Sequence, residues 1–459
     1  SEPEHSGHRY RELSGDVEQT HVEIGSSGAP NLHPDVPALD LAAAVLGSGR
    51  ASRLYRAVRD RKLAGSVGAY NYSPAEVGVF VMSSEGDPAT AAEAARAMWA
   101  QVTAVRAGNV SPDEIERAHR LFMSRWARHL ETTEGQAAYL AEWESVGGWQ
   151  KGQEYYDAFM RSDAAAVVSV AQKYLGEERA GAVVYRPNGA PAVASDADAF
   201  WKLLHSGNVA PLDASTAARS VPAPQRAVAK FIREDAAVRV YELASEIPVL
   251  IRSRPNAPIT HIGVYAATGS AYEPREQAGI TAFAARTASR GTSLRTSLQI
   301  AEESELLGGS IGASVGPEAF GWSMSVPTAN LQPALALLAD VVQQATLDDD
   351  ALETERAAMI ADAARLRDDM YRYPMRLATE AAYADHPYSI PAGGTEDSLH
   401  ALTFARVREW YHSMLLNAPF LIAITGDVDA DAVANTIATE FDSIQRLGRD
   451  ALPITVWPH

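Results

Sequence analysis

Over residues 320–326 every second side chain is large and apolar: Phe320, Trp322, Met324 and Val326 alternate with Gly321, Ser323 and Ser325. A period of two marks a strand with one buried face. The period then lengthens, and Ala334, Leu335, Leu338, Val341, Val342 and Ala345 recur at helical spacing. The same succession stands earlier, with an apolar strand at 78–82 followed by Ala91, Ala94, Ala95, Met98, Trp99, Val102 and Val105. Each strand is preceded by a helix-like segment (50–62 and 294–307) and a matching pentapeptide. Gly65-Ser66-Val67-Gly68-Ala69 returns 244 positions later as Gly309-Ser310-Ile311-Gly312-Ala313. A further helix follows in each copy, holding Glu116-Arg117 and Glu355-Arg356, and each copy closes with a helix and a short strand (167–174 then 182–185; 404–411 then 420–425). The chain carries an internal duplication.

Between the copies, residues 188–228 are rich in Ala, Ser, Asp and Gly and contain Pro191, Pro211, Pro222 and Pro224, which predicts a linker with one short helix at 197–205. Apolar runs at 237–242, 247–252 and 259–267, separated by turns, favour antiparallel pairing. The expected fold class is therefore α+β, two homologous domains each with an antiparallel sheet covered by helices. The expected boundaries are 1–187, a linker at 188–228, a second domain at 229–446, and a tail at 447–459 leading towards a further domain. The opening SEPEHSGHRYRE has no apolar core, so it reads as mature or internal sequence.

At 459 residues the chain exceeds a single core, in keeping with two domains. The net charge of −18 shows no basic patch and argues against a nucleic-acid partner. No apolar run approaches the length of a membrane span. The absence of cysteine excludes disulfides, thiolate metal sites and cysteine nucleophiles.

The second copy contains further ordered motifs: Gly269 with Glu273, Ala278-Gly279, Gly291-Thr292, His386-Pro387-Tyr388, Gly394-Thr395-Glu396 and Gly426-Asp427-Val428. The first copy adds Leu46-Gly47-Ser48-Gly49-Arg50 and Ser52-Arg53-Leu54-Tyr55. In their order and spacing these resemble the pitrilysin/insulinase-type zinc metallopeptidases, the inverzincins, which include the processing peptidases and their non-catalytic partner subunits. The resemblance places the first copy with the family's second domain and the second copy with a degenerate third domain. It implies four α+β domains closing like a clamshell around a peptide.

The family motif H-x-x-E-H puts two zinc-binding His on one helical face, with a Glu as general base between them. In the register set by Ala278-Gly279 and Gly291-Thr292, the first His falls on Ala282, the Glu on Ala285 and the second His on Arg286. The third ligand, about 76 residues on, falls on Asp362. The resemblance thus implies a lost zinc site, and a cation at Arg286 is expected to form a salt bridge with Asp362. The family also uses an Arg and a Tyr to hold substrate. Arg59 is the candidate here, but the run from Arg59 is one residue short and puts Gly65 where the Tyr is needed. The competing reading of Arg59 is an exposed helix-end cation.

Bland readings cover the remaining constellations. His5, His8, His21 and His33 are expected at the surface, Glu302, Glu303 and Glu305 on a solvated face, and Asp348-Asp349-Asp350 as a helix cap. His386 reads as a structural hydrogen-bonder, Gly308-Gly309 lacks the lysine of a phosphate loop, and Trp126, Trp143, Trp149, Tyr155 and Tyr156 read as packing residues. The expected function is a non-catalytic portion or subunit of a zinc metalloendopeptidase that helps to form the chamber and hold peptide. No cofactor is expected in this chain, with zinc in a separate H-x-x-E-H domain or partner, and the resemblance to exported bacterial members favours the periplasm over the cytoplasm. The alternative is a standalone structural or interaction module.

Overall fold

A computed structural model describes residues 7–207, 209, 212 and 226–441. The chain divides into two compact units, residues 1–214 and 215–459. The expected tail at 447–459, His5, Pro211, Pro222 and Pro224 lie outside the described residues.

Unit 1 is built from β1 (Arg9–Gly15), β2 (Thr20–Gly28), α1 (Val36–Gly47), β3 (Ser66–Tyr72), β4 (Gly78–Gly86), α2 (Ala91–Arg106), α3 (Pro112–His129), α4 (Thr133–Ser145), α5 (Lys151–Arg161), α6 (Ala164–Tyr174), β5 (Ala180–Pro187) and α7 (Ala197–Leu204). Its sheet has the order β1-β5-β2-β4-β3. β2 and β4 alternate buried and half-exposed positions, so Val22, Ile24, Phe80 and Met82 enter one core with the buried faces of α1, α2 and α6. α1 opens on Pro37, whose fixed φ suits a first helical turn, and ends against β3. A Cβ on Gly47 would lie 2.3 Å from the Ala69 amide nitrogen, so only glycine allows that approach. α3 begins with a capping box between Ser111 and Glu114.

Unit 2 comprises β6 (Lys230–Asp235), β7 (Val238–Glu242), β8 (Pro248–Ser253), β9 (Ile259–Ala266), α8 (Ile280–Ala288), α9 (Ser297–Leu306), β10 (Gly312–Val315), β11 (Phe320–Pro327), α10 (Leu331–Gln344), α11 (Asp349–Asp368), α12 (Arg372–Tyr383), α13 (Glu396–Ala401), α14 (Phe404–Asn417), β12 (Phe420–Gly426) and α15 (Ala430–Glu440). The sheet order is β10-β11-β9-β12-β8-β7-β6. Its first five strands repeat the unit 1 order read from the other edge: β3, β4, β2, β5 and β1 correspond to β10, β11, β9, β12 and β8. The β6–β7 hairpin is the addition. The duplication read from the pentapeptides is thus a duplication of topology.

Two differences from the sequence expectation stand out. Neither sheet is wholly antiparallel, because β1 pairs with β5 and β8 with β12 in parallel. Periodicity reports which face of a strand is buried, not its direction. The second difference is the stretch 197–204, which is no free spacer. Phe200, Trp201 and Leu204 of α7 are buried in the unit 1 core, with Trp201 edge-on to Trp99 at 4.9 Å.

Candidate functional site: the metal helix and its arginines

α8 is the helix on which the resemblance places the lost metal site. It starts at Gly279, whose φ of +90° and contact with Gly394 (2.7 Å from a hypothetical Cβ to the Gly394 Cα) exclude a side chain. The buried Glu273 carboxylate accepts from the backbone N–H groups of Gly279 (2.7 Å) and Thr281 (3.0 Å), satisfying two donors at the helix start. Burial outweighs those hydrogen bonds and pushes the Glu273 carboxyl up to about 7.

Ala282 and Ala285 are buried in the unit 2 core, and the Ala285 carbonyl accepts from the Trp322 indole N–H at 2.8 Å. Arg286, in the last turn, reaches α11. Its Nε donates to Glu355 and its Nη1 donates to Asp362 at 3.1 Å. Arg290, one turn on, donates to the same Glu355 through Nε (2.9 Å) and Nη2 (2.8 Å). Arg365 donates to the other oxygen of Asp362 at 2.6 Å. The expected Arg286–Asp362 salt bridge is present, as the outer half of a network centred on Glu355. The Glu355 side chain is 3% exposed, against 38% for Asp362. Burial opposes the charge on Arg286, and the Glu355 and Asp362 carboxylates overcome it, so its pKa is raised.

These residues do not fit a zinc ion. Ala282 and Ala285 offer no donor and no base, Arg286 places a fixed cation where a neutral ligand is needed, and both carboxylates are engaged by guanidiniums. Among the described residues no group of three or more His, Asp or Glu is arranged to hold a metal. The constellation can lock α8 to α11, but it contains no nucleophile or proton-transfer pair.

Sequence reasoning missed Glu355 and Arg290. Part of the signal was available: Glu355 and Asp362 are seven apart on α11 and share a face, whereas Arg290 lies in the turn after α8, beyond the reach of helical spacing. Arg59 lies in a π-helical turn, Tyr55–Arg59. Its guanidinium sits 5.4 Å over the Tyr55 ring, and its Nε is buried with no hydrogen-bond partner among the described residues. It is half-buried and not an exposed helix-end cation, and Gly65 hydrogen-bonds to the Glu85 carbonyl at the start of β3.

Glu305 is buried, not solvated, while Glu303 pairs with Arg295 at 2.8 Å. Asp348 occupies the α11 N-cap position but accepts from the Thr346 hydroxyl and not from the helix backbone. His386 accepts from the Tyr388 N–H at 3.1 Å. Trp126, Trp143, Tyr155 and Tyr156 form an aromatic cluster across α3, α4 and α5, whereas Trp149 is half exposed.

The fold is a metallopeptidase-type α+β repeat in which a salt-bridge network joins α8 to α11. The family model of the insulinase-type peptidases, peptidase family M16, matches residues 248–396, and the model of the M16 inactive domain matches residues 1–122. The chain belongs to peptidase family M16. It is 24% identical over 212 residues to the uncharacterized zinc protease YmxG of Bacillus subtilis, covering 46% of this chain and 52% of that protein. It is 25% identical over 207 residues to an uncharacterized zinc protease of Rickettsia felis, covering 45% and 50%. The chain spans about half the length of these curated relatives. A solved structure of the ferredoxin protease FusC in complex with Arabidopsis ferredoxin superposes with a TM-score of 0.52 at 14% identity, covering 96% of this chain and 51% of that one. At that identity the likeness concerns the fold. No helix among the described residues is long and apolar enough to cross a membrane.

Proposed function

We propose that this chain is the non-catalytic portion of a zinc metallopeptidase: it forms part of the wall of a peptide-binding chamber, while an H-x-x-E-H domain elsewhere supplies zinc and the general base. The observation that carries this reading is Arg286, tied to Glu355 and Asp362 at the position where the resemblance expects the second histidine. An arginine bonded to two carboxylates retains the helix–helix packing of a peptidase domain while removing its chemistry. Peptide is held by strand addition to a sheet edge. β3 is such an edge in unit 1 and leaves Tyr70 and Tyr72 exposed on alternate positions. Arg59 is the cation proposed to contact substrate, and a periplasmic setting completes the proposal.

The test is cleavage of a fluorogenic peptide library by this chain alone, by an H-x-x-E-H domain from the same organism, and by the two mixed. Turnover only in the mixture, or at least tenfold greater there, is expected. Turnover by this chain alone after chelation and zinc addition contradicts the reading. Binding to the H-x-x-E-H domain with no gain in turnover and no peptide binding favours a purely structural module.

A further inference from the structure

In the unit 1 order α1 takes the place that α8 takes in unit 2, packing on β3 and α3 as α8 packs on β10 and α11. Unit 1 leaves a cavity of about 290 Å³ there, between α1, β3, α3 and α5. Asp40 stands at its inner end. One carboxylate oxygen accepts from the Asn71 amide at 2.9 Å, and the other accepts from the Tyr155 hydroxyl at 2.6 Å. Glu12, Glu114 and Glu355 each meet an arginine. Asp40, by contrast, has no ion-pair partner among the described residues. A desolvated carboxylate held only by neutral donors is poorly compensated, and burial pushes Asp40 up to about 6 against those two hydrogen bonds. The walls are aromatic, Phe122 and Phe159 stacking at 3.8 Å beside Tyr155, and the side towards α1 is small, Ala43 and Ala44.

We propose that this cavity is a binding site for a compact monoammonium ion with an apolar body, the ammonium pairing with Asp40 and the body lying against Phe122, Tyr155 and Phe159. The carboxylate supplies the charge that the cavity lacks a partner for, and the rings supply cation–π and apolar contact. Arg125, exposed on α3 at the rim, holds a second positive charge there and selects against polyamines. The other titratable groups nearby do not compete for the proton. Tyr155 is raised well above its ordinary pKa by burial and by Asp40, and His119, edge-on to Phe159, is held below its ordinary value by burial. Asp35, at the start of α1, is paired with Lys173.

Benzylammonium and its neutral analogue benzyl alcohol are titrated into the full chain at pH 7.5 and pH 5, with ligand-observed NMR as readout. Saturable benzylammonium binding at pH 7.5 is expected, weakening about tenfold at pH 5 as Asp40 takes up its proton. The alcohol is expected to bind weakly at both pH values. Asp40→Asn should remove the pH dependence and most of the affinity. Arg125→Ala, at an exposed position that leaves the fold intact, should tighten benzylammonium. Absence of saturable binding in the wild type, equal binding of the alcohol, or weaker binding in Arg125→Ala overturns the proposal.

Discussion

Truncation of Glu355 is the perturbation that most sharply separates a structural salt-bridge network from a dispensable surface feature. Its carboxylate receives Arg286 Nε and two donors of Arg290, and the Arg290 side chain is only 6% exposed. In Glu355→Ala both guanidiniums lose that acceptor. Arg286 keeps Asp362 and is 29% exposed, so water relieves part of its loss. Arg290 has no such relief from solvent. Breaking a buried pair by removing one member costs about 3–5 kcal/mol, and the partial exposure of Arg286 places Glu355→Ala near the lower end. Asp362→Ala should cost less than about 1 kcal/mol, because that carboxylate is 38% exposed and its partners Arg286 and Arg365 are both partly solvated. For a domain of this size about 3 kcal/mol corresponds to a fall in Tm of roughly 6–12 °C. The assay is urea and thermal unfolding followed by tryptophan fluorescence. Trp322 and Trp410 both hydrogen-bond to α8 and report on unit 2. An Asp362→Ala effect equal to or larger than that of Glu355→Ala would refute the reasoning, as would a Glu355→Ala effect below about 0.5 kcal/mol.

Glu273 titrates in the direction opposite to the usual acid unfolding. Its folded pKa of about 7 lies above its ordinary value of 4.5. Its contribution is therefore full below pH 4.5 and is lost as pH rises towards 7, by up to about 3 kcal/mol. Glu273→Gln should flatten that part of the stability profile in urea titrations at pH 4.5 and 7.5, and an unchanged slope would remove the assignment. Gly279→Ala should destabilise unit 2 by about 2–4 kcal/mol, since alanine is strained at a φ of +90° and its Cβ meets Gly394. Unfolding within 0.5 kcal/mol of wild type would count against that account. Thr395→Ala removes the hydroxyl that accepts from the Ser398 N–H at the start of α13 and should cost about 1 kcal/mol by the same assay.

Much of this architecture was legible because burial imprints periodicity. The alternation of Phe320, Trp322, Met324 and Val326 marked β11, and all four are buried. The pentapeptide repeat marked the starts of β3 and β10, and thereby the matching strand orders. Strand direction was not legible, because β1 and β8 pair in parallel with strands more than 160 residues away and local patterning carries no trace of that. The packing of α7 was hidden by its flanking Ser, Asp and Pro, although Phe200 and Trp201 were a sufficient apolar anchor. At α8 the sequence pattern pointed to the Arg286–Asp362 contact. It did not expose Glu355 as the centre, because a buried carboxylate and a solvated one look alike until the facing helix is placed. Asp40 was overlooked for the same reason: inside the apolar run of α1, only the neighbouring Asn71 and Tyr155 reveal its half-buried, hydrogen-bonded setting.

The central claim is that α8 no longer holds zinc. Isothermal titration of zinc into the metal-stripped chain, with metal content read by mass spectrometry after dialysis, tests it most directly. The arginine–carboxylate network predicts no saturable site and a zinc content far below one per chain. A single tight site that disappears in Asp362→Ala would contradict the account.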